Sequence, residues 1–292
     1  MAHNPNPKIS GPRQGLVEKT SAGVLRWTGK VSFVHEQLTV PIHWRKPRRI
    51  FVANQSDLFH ESVPFDFIDQ VWGVMAACRH TECDGGAGHR FQILTKRPER
   101  LREYLSTDRR RAWAYAGAQF GGGECGDGMY DQIDFGPRVL PNVWLGVSVE
   151  NQAAANERIP ELLQTPAAVR FLSCEPLLGP VDLDDVTVDE GLGEWHFSAL
   201  EPDVDPEDDE PFHGAHLDWV IVGGESGQLA RPCEEAWVRS IVEQCKVAGV
   251  SAFVKQLGTV WARAPRTHEA YFLGGGHQAG ADPEEWPEDL RL

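Results

Sequence analysis

Nowhere in the 292 residues is there an unbroken apolar run of the roughly 18 residues a bilayer span needs, so no transmembrane segment is expected. Cysteine is sparse, with six residues (Cys78, Cys83, Cys125, Cys174, Cys233 and Cys245) spread along the chain behind a polar first stretch, residues 1–13, that has no apolar signal core. That usage points to a reducing cytoplasm and against a disulfide framework. No Cys-x-x-Cys pair, Walker loop, G-x-S-x-G elbow or H-E-x-x-H occurs, which removes the commonest signatures of zinc ribbons, P-loop NTPases, α/β hydrolases and zinc proteases. The nearest thing to a metal motif is Cys78-x-His80-x-x-Cys83 with His89. Its residue types suit zinc but its spacing lacks a paired motif, and Cys78 equally suits the buried face at a helix end.

Positive charge is also short overall, with 28 Lys+Arg against 43 Asp+Glu for a net charge of −15. Taken whole, this argues against life on nucleic acid or anionic lipid. The deficit is local. Residues 182–218 hold 14 acids and no Lys or Arg, leaving 28 bases against 29 acids elsewhere. Residues 1–50 are basic, with nine Lys+Arg, including Arg45, Lys46, Arg48 and Arg49, against Glu18 and Glu36. The acidic stretch reads as a solvated surface insertion, with a docking role as the alternative. A second stretch, residues 116–138, carries Gly121-Gly122-Gly123 and little apolar periodicity, so a long mobile loop is expected there.

Between these stretches one unit recurs: a short apolar run, a polar cluster, then a segment with helical spacing. The runs begin at Ile50, Phe91, Val143, Val169, Trp219 and Ala252, and each has the length and β-branched or aromatic bias of a strand buried on both faces. Helical spacing follows in Phe67, Ile68, Val71, Trp72 and Met75, and again in Trp237, Ile241, Val242 and Cys245. Pro98 suits the first turn of a helix. Alternation of this kind predicts an α/β fold with a parallel sheet, either doubly wound or wrapped into a barrel.

In a parallel barrel the residues just past each strand share one rim, where chemistry is found. Here those positions are polar six times over: Asn54 to Asp57; Thr95, Lys96 and Arg97; Ser148, Glu150 and Asn151; Ser173, Cys174 and Glu175; Gly223 to Ser226; Lys255 and Gln256. Ser, Asn and Asp serve equally as helix caps. Lys and Glu do not, and Lys255 beside Glu225 needs a partner or a ligand. Gly223-Gly224 reads either as an anion-binding turn with close backbone N–H groups or as a tight turn alone.

The strand-end strings form a familiar set: Asn54-Gln55-Ser56-Asp57-Leu58-Phe59-His60, Leu94-Thr95-Lys96-Arg97-Pro98-Glu99-Arg100, Val143-Trp144-Leu145-Gly146-Val147-Ser148-Val149-Glu150-Asn151, Phe171-Leu172-Ser173-Cys174-Glu175-Pro176-Leu177-Leu178-Gly179, Val222-Gly223-Gly224-Glu225-Ser226-Gly227 and Phe253-Val254-Lys255-Gln256. With these, residues 15–261 resemble the phage-associated Gp thirty-seven/Gp sixty-eight family, a domain of unknown function similar to radical-SAM enzymes. The resemblance implies a partial TIM-like (β/α) barrel of radical-SAM type, here with six strands visible and the first strand missing. It implies S-adenosylmethionine and a 4Fe-4S cluster as cofactors, the cluster held by three cysteines spaced Cys-x6-Cys-x2-Cys. None of the six cysteines has that spacing, so the expectation is an N-terminally truncated form without cluster ligation or activity, with a true cluster-less variant as the alternative.

Carried onto this sequence, the implied cofactor-binding set is Ser56, Asp57, Lys96, Arg97, Glu150, Glu175, Gly223, Gly224, Glu225 and Lys255. Ser56, Asp57, Glu150 and Glu225 would contact amino and ribose groups, while Lys96, Arg97 and Lys255 would meet a carboxylate. Family members sometimes accompany a three-cysteine-motif partner protein. The expected division is a basic flank at 1–49, a barrel core at 50–262 with loop insertions at about 116–138 and 182–216, and a tail at 263–292. Two rival readings stand beside it: a non-catalytic barrel binding a partner protein or nucleic acid, with Arg97, Arg100, Arg102, Arg109, Arg110 and Arg111 as a possible phosphate run, and a hydrolase using Glu150 and Glu225 as acid and base.

Overall fold

The computed structural model of the protein describes residues 15–19, 21, 25–79, 88–121, 123–189, 193–202, 214–264, 279 and 281–290. In chain order its elements are β1 (Val17–Lys19), β2 (Leu25–Trp27), α1 (His35–Leu38), β3 (Arg49–Val52), α2 (Phe65–Ala77), β4 (Arg90–Thr95), α3 (Pro98–Ser106), α4 (Arg110–Gly121), α5 (Gly123–Asp134), β5 (Val143–Ser148), α6 (Gln152–Leu163), β6 (Val169–Cys174), β7 (Val186–Asp189), β8 (Glu194–Phe197), β9 (Trp219–Gly223), α7 (Glu235–Ala248), β10 (Ser251–Gln256) and α8 (Thr259–Arg263). They divide into two compact units. One is helical and takes residues from Met1–Arg48, His60–His89 and Arg109–Arg138; the other carries the main sheet, from Arg49–Phe59, Arg90–Asp108 and Val139–Leu292. Among the described residues, no helix is long and apolar enough to cross a membrane.

In the sheet unit all six apolar runs form strands, parallel throughout and ordered β3-β4-β5-β6-β9-β10. That order is the order of the chain. Right-handed crossovers that always step the same way put their helices on one face, so the sheet curls into a half-barrel instead of winding both ways. The central strands explain the continuous apolar runs, because nine of the twelve residues of β5 and β6 are buried and none is exposed. β3 is an edge strand, with β4 as its neighbour in the sheet. Local chemistry sets the helix boundaries. Pro98 occupies the first turn of α3, the Asn151 carboxamide caps α6 by accepting from the Ala154 N–H at 3.0 Å, and Gly249 ends α7 at φ 73°.

The helical unit is built on α2, α4 and α5. Trp72 and Trp113, both buried, stack with ring centroids 6.4 Å apart. Gly73 and Gly117 let α2 and α4 approach closely, since a Cβ on Gly73 would lie 2.7 Å from the Trp113 carbonyl oxygen. Asp69 and Arg109 form a two-pronged ion pair within it, at 2.8 and 2.6 Å.

Two expectations are corrected. Residues 116–138, expected as a loop, are mostly helical: Gly121 closes α4 and Gly123 opens α5, while Ala116 and Ile133 are buried. The glycines mark a junction between two helices, and contacts with α2 give those helices an apolar face that weak periodicity did not reveal. The second is the acidic insertion, residues 182–216. It is no free loop: β7 and β8 pair as an antiparallel hairpin, and Leu183, Val186, Ala199 and Leu200 are buried. Its densest acids, Asp203 to Glu210, lie outside the described residues.

The arginine run is largely consumed internally. Arg97 pairs with Asp57, Arg102 with Glu161 and Arg109 with Asp69, while Arg110 donates to the Gly136 carbonyl.

Candidate functional site

The rim past the C-terminal strand ends of the half-barrel is laced turn to turn. Asp57, after β3, fixes the turn after β4: its Oδ1 accepts from the Thr95 hydroxyl at 2.8 Å, and its Oδ2 accepts from the Lys96 N–H and the Arg97 guanidinium, both at 3.0 Å. Lys96 then donates to Glu150 beyond β5. The Glu150 carbonyl accepts from the Leu178 N–H at 2.8 Å, the Gly223 carbonyl accepts from the Leu177 N–H at 2.9 Å, and the Gln256 carbonyl accepts from the Gly224 N–H at 2.9 Å. Six turns are thus held in one hydrogen-bonded row. Ser56 sits exposed beside Asp57, just past Ala53, whose φ of 53° is a conformation that costs a non-glycine residue about 1–2 kcal/mol.

The three glutamates of this rim divide two against one. Burial pushes the Glu150 carboxyl up, but Lys96 and Arg158 more than offset that and hold it below its ordinary value. The Arg158 guanidinium reaches Glu150 Oε2 at 2.9 Å and the Ser148 carbonyl at 2.8 Å. Glu225 is held below its ordinary value mainly by Arg231, whose Nε lies 2.7 Å away. Glu175 differs. Its Oε2 meets the Lys255 ammonium at 3.1 Å, while its Oε1 is buried with no hydrogen-bond partner. Burial raises this carboxyl above its ordinary value and Lys255 only partly offsets the effect.

Lys255 therefore takes Glu175 and not the expected Glu225, which takes Arg231 instead. The glycine pair serves close approach. A Cβ on Gly224 would lie 2.4 Å from the Leu257 carbonyl oxygen, and its N–H is already given to the Gln256 carbonyl, so that amide is not free for an anion. The hydrolase reading loses its acid, because Glu150 and Glu225 are both held toward the ionised form and a general acid needs the reverse. Arg158 and Arg231 were missed from the sequence; Arg158 could have been noticed as the sole cation of α6.

For Glu175 the sign of the pH effect is fixed. Its carboxyl titrates higher in the fold than in the unfolded chain, so its contribution turns unfavourable as pH rises through the raised folded value. Glu175→Gln is expected to stabilise the protein by about 1 kcal/mol at neutral pH, the cost of an unsatisfied buried acceptor. The gain shrinks as pH falls toward the ordinary carboxylate range. Denaturant unfolding across pH checks this, and a gain that grows on acidification refutes it.

The residues suit the two implied cofactors unequally. A buried acceptor without a donor, on the carboxylate whose other oxygen meets the half-exposed Lys255 ammonium, has the chemistry to take an amino or hydroxyl group of a ligand. An iron–sulfur cluster finds no ligand set among the described residues. No group of three His, Cys, Asp or Glu able to hold a metal occurs there, and burial raises the Cys78 and Cys245 thiols to about 12 and Cys233 to about 11, with Cys174 raised too. The zinc candidate fares no better. His89 accepts from the Arg48 N–H at Nδ1 (3.1 Å) and donates from Nε2 to the Pro41 carbonyl (3.0 Å), so neither ring nitrogen is left for a metal. His80 and Cys83 lie outside the described residues.

No curated protein and no solved structure matches this chain. The pattern of one protein family matches residues 8–281, nearly the whole length. The chain belongs to that family, described as a protein of unknown function (DUF5131).

Proposed function

We propose that the rim of the half-barrel binds S-adenosylmethionine, as a radical-SAM-type member of a phage-associated family. The observation that carries this reading is the buried Oε1 of Glu175, an acceptor with no donor at the C-terminal edge of a parallel sheet. An α-amino group or ribose hydroxyl supplies the missing donor, and Lys255 and Lys96, both about half exposed, swing to the carboxylate. Asp57, Arg158 and Arg231 act through other groups: Asp57 shapes the Thr95-Lys96-Arg97 turn, while the two arginines hold Glu150 and Glu225 ionised. When bound with a reduced cluster, S-adenosylmethionine supplies radical chemistry.

Isothermal titration with S-adenosylmethionine and its sulfide product, S-adenosylhomocysteine, tests the reading. Binding in the micromolar range is expected, weakened at least about tenfold by Glu175→Gln because a buried donor then loses its charged acceptor. No binding at about 1 mM, or equal binding by the variant, overturns it.

A second reading is a non-catalytic barrel that binds a partner protein or nucleic acid, favoured by the free Cys78, Cys174, Cys233 and Cys245, which form no three-ligand metal group among the described residues. Anaerobic reconstitution separates the two: about four irons per chain, with the absorbance of a cluster, removes the second reading.

A further inference from the structure

Within the helical unit, Val40–His43 forms a 3-10 turn, and the chain leaves it through Trp44, Arg45, Lys46, Pro47 and Arg48. Arg45, Lys46 and Arg48 are exposed, and among the described residues none of the three has an ion-pair partner. Exposed cations elsewhere are mixed: Arg26 meets Glu18 at 2.6 Å and Arg231 meets Glu225 at 2.7 Å, while Lys19, Lys30, Arg90 and Arg111 stand singly without an ion-pair partner among the described residues. Three uncompensated positive charges within four residues are unusual on a chain of net charge −15.

This loop is also held in one shape. His89, only 2 % exposed, ties its two ends by accepting from the Arg48 N–H and donating to the Pro41 carbonyl. A single neutral tautomer, with the proton on Nε2, satisfies both bonds. Trp44 stands edge-on to the His89 ring at 5.8 Å, and the Arg48 guanidinium lies 4.4 Å over the Trp44 ring. Stacking on one face leaves the in-plane N–H groups of Arg48 free to meet a planar or tetrahedral anion. A solvated charge run has no need of a buried histidine to fix its backbone. A binding loop does, because ordering done at folding is not charged again to association.

We propose that the Trp44–Arg48 loop is a phosphodiester-binding surface for nucleic acid, with Arg45, Lys46 and Arg48 presented on a backbone clamped by His89. Arginine forks and a nearby lysine are the donors that phosphate oxygens select. Lipid surfaces share the phosphate but ask for an apolar anchor as well. The loop has none, since its aromatic ring is packed against His89 and Arg48 and the neighbouring helix α1 is only four residues long. Contacts of this kind position a nucleic acid without reading its sequence, so affinity depends on salt and little on base composition. The loop belongs to the helical unit, whereas the strand-end rim belongs to the sheet unit, and the proposal does not rest on a ligand at the rim.

Fluorescence anisotropy on the full chain, with labelled single- and double-stranded oligonucleotides of about 20 nucleotides, tests the proposal. At about 50 mM salt, binding is expected, falling toward about 200 mM with a log–log slope of about −2 to −3, as three released counterions require. The triple variant Arg45→Ala, Lys46→Ala, Arg48→Ala is expected to bind at least about tenfold more weakly with a flattened slope. Its thermal unfolding and its S-adenosylmethionine titration should match the wild type. His89→Ala keeps the three charges but releases the clamp, so it is expected to lose affinity while retaining the slope. Lys246→Ala, which removes an exposed cation elsewhere, should change nothing. Single- against double-stranded preference shows which form fits the loop. Absent binding at low salt, equal binding by the triple variant, or binding to phosphatidylserine vesicles in place of oligonucleotides each overturns the proposal.

Discussion

Arg109→Ala is expected to destabilise the protein by about 3–5 kcal/mol, the range for removing one partner of a buried ion pair. Asp69 is 8 % exposed, and the guanidinium grips it at both oxygens, 2.8 and 2.6 Å away. Arg109 also lies 5.5 Å over the Phe65 ring, so the substitution removes packing along with charge. Truncation leaves a carboxylate drawn from water without the group that justified its burial. Arg109→Lys keeps the charge but not the fork and should fall between the two. Adding Asp69→Ala to Arg109→Ala should restore part of the loss, since no buried anion then remains. Denaturant unfolding reads all three variants. A loss under about 1 kcal/mol for Arg109→Ala, as exposed pairs show, would mean that the pair is not effectively buried.

Gly224→Val is the second large effect, expected at about 3 kcal/mol together with loss of ligand binding at the rim. A Cβ there would lie 2.4 Å from the Leu257 carbonyl oxygen, 2.7 Å from its carbon and 2.9 Å from Gly258 Cα. All three are backbone atoms, so no rotamer change relieves the overlap. Relief requires parting the β9 and β10 turns, which breaks the Gly224 N–H to Gln256 carbonyl bond and the Gln256 side-chain bond to the Gly224 carbonyl. Gly179→Ala on the same rim is the control. Its nearest neighbour, the Asn151 Cβ, is an ordinary 3.5 Å away, so the cost should stay within about 1 kcal/mol. Equal melting of the two variants would show that the rim tolerates separation of these turns.

Much of the fold was legible because it is locally encoded. Six apolar runs became six strands, each within two residues of its expected start, and Pro98 opened its helix as expected. Polar residues past each strand were correctly read as one rim, since parallel strands must end on the same side. Helices α4 and α5 were not legible. Their apolar residues are few, and their burial depends on contacts with α2, which lies far earlier in the chain.

Pairing within the rim was beyond reach for a related reason. Lys255 was set beside Glu225 by sequence position, yet its partner is Glu175, 80 residues away, because β6 and β10 flank β9 in the sheet. The sequence by itself determined which residues form the six strands of the main sheet, that those strands run parallel, and that acids and bases crowd their C-terminal ends, because side-chain periodicity and chain direction are properties of neighbouring residues. Only the tertiary structure decided which of those acids are neutralised and which oxygen is left without a donor. Ionisation and hydrogen bonding respond to burial and to distances of a few ångströms, and both are set by strands that meet from distant parts of the chain.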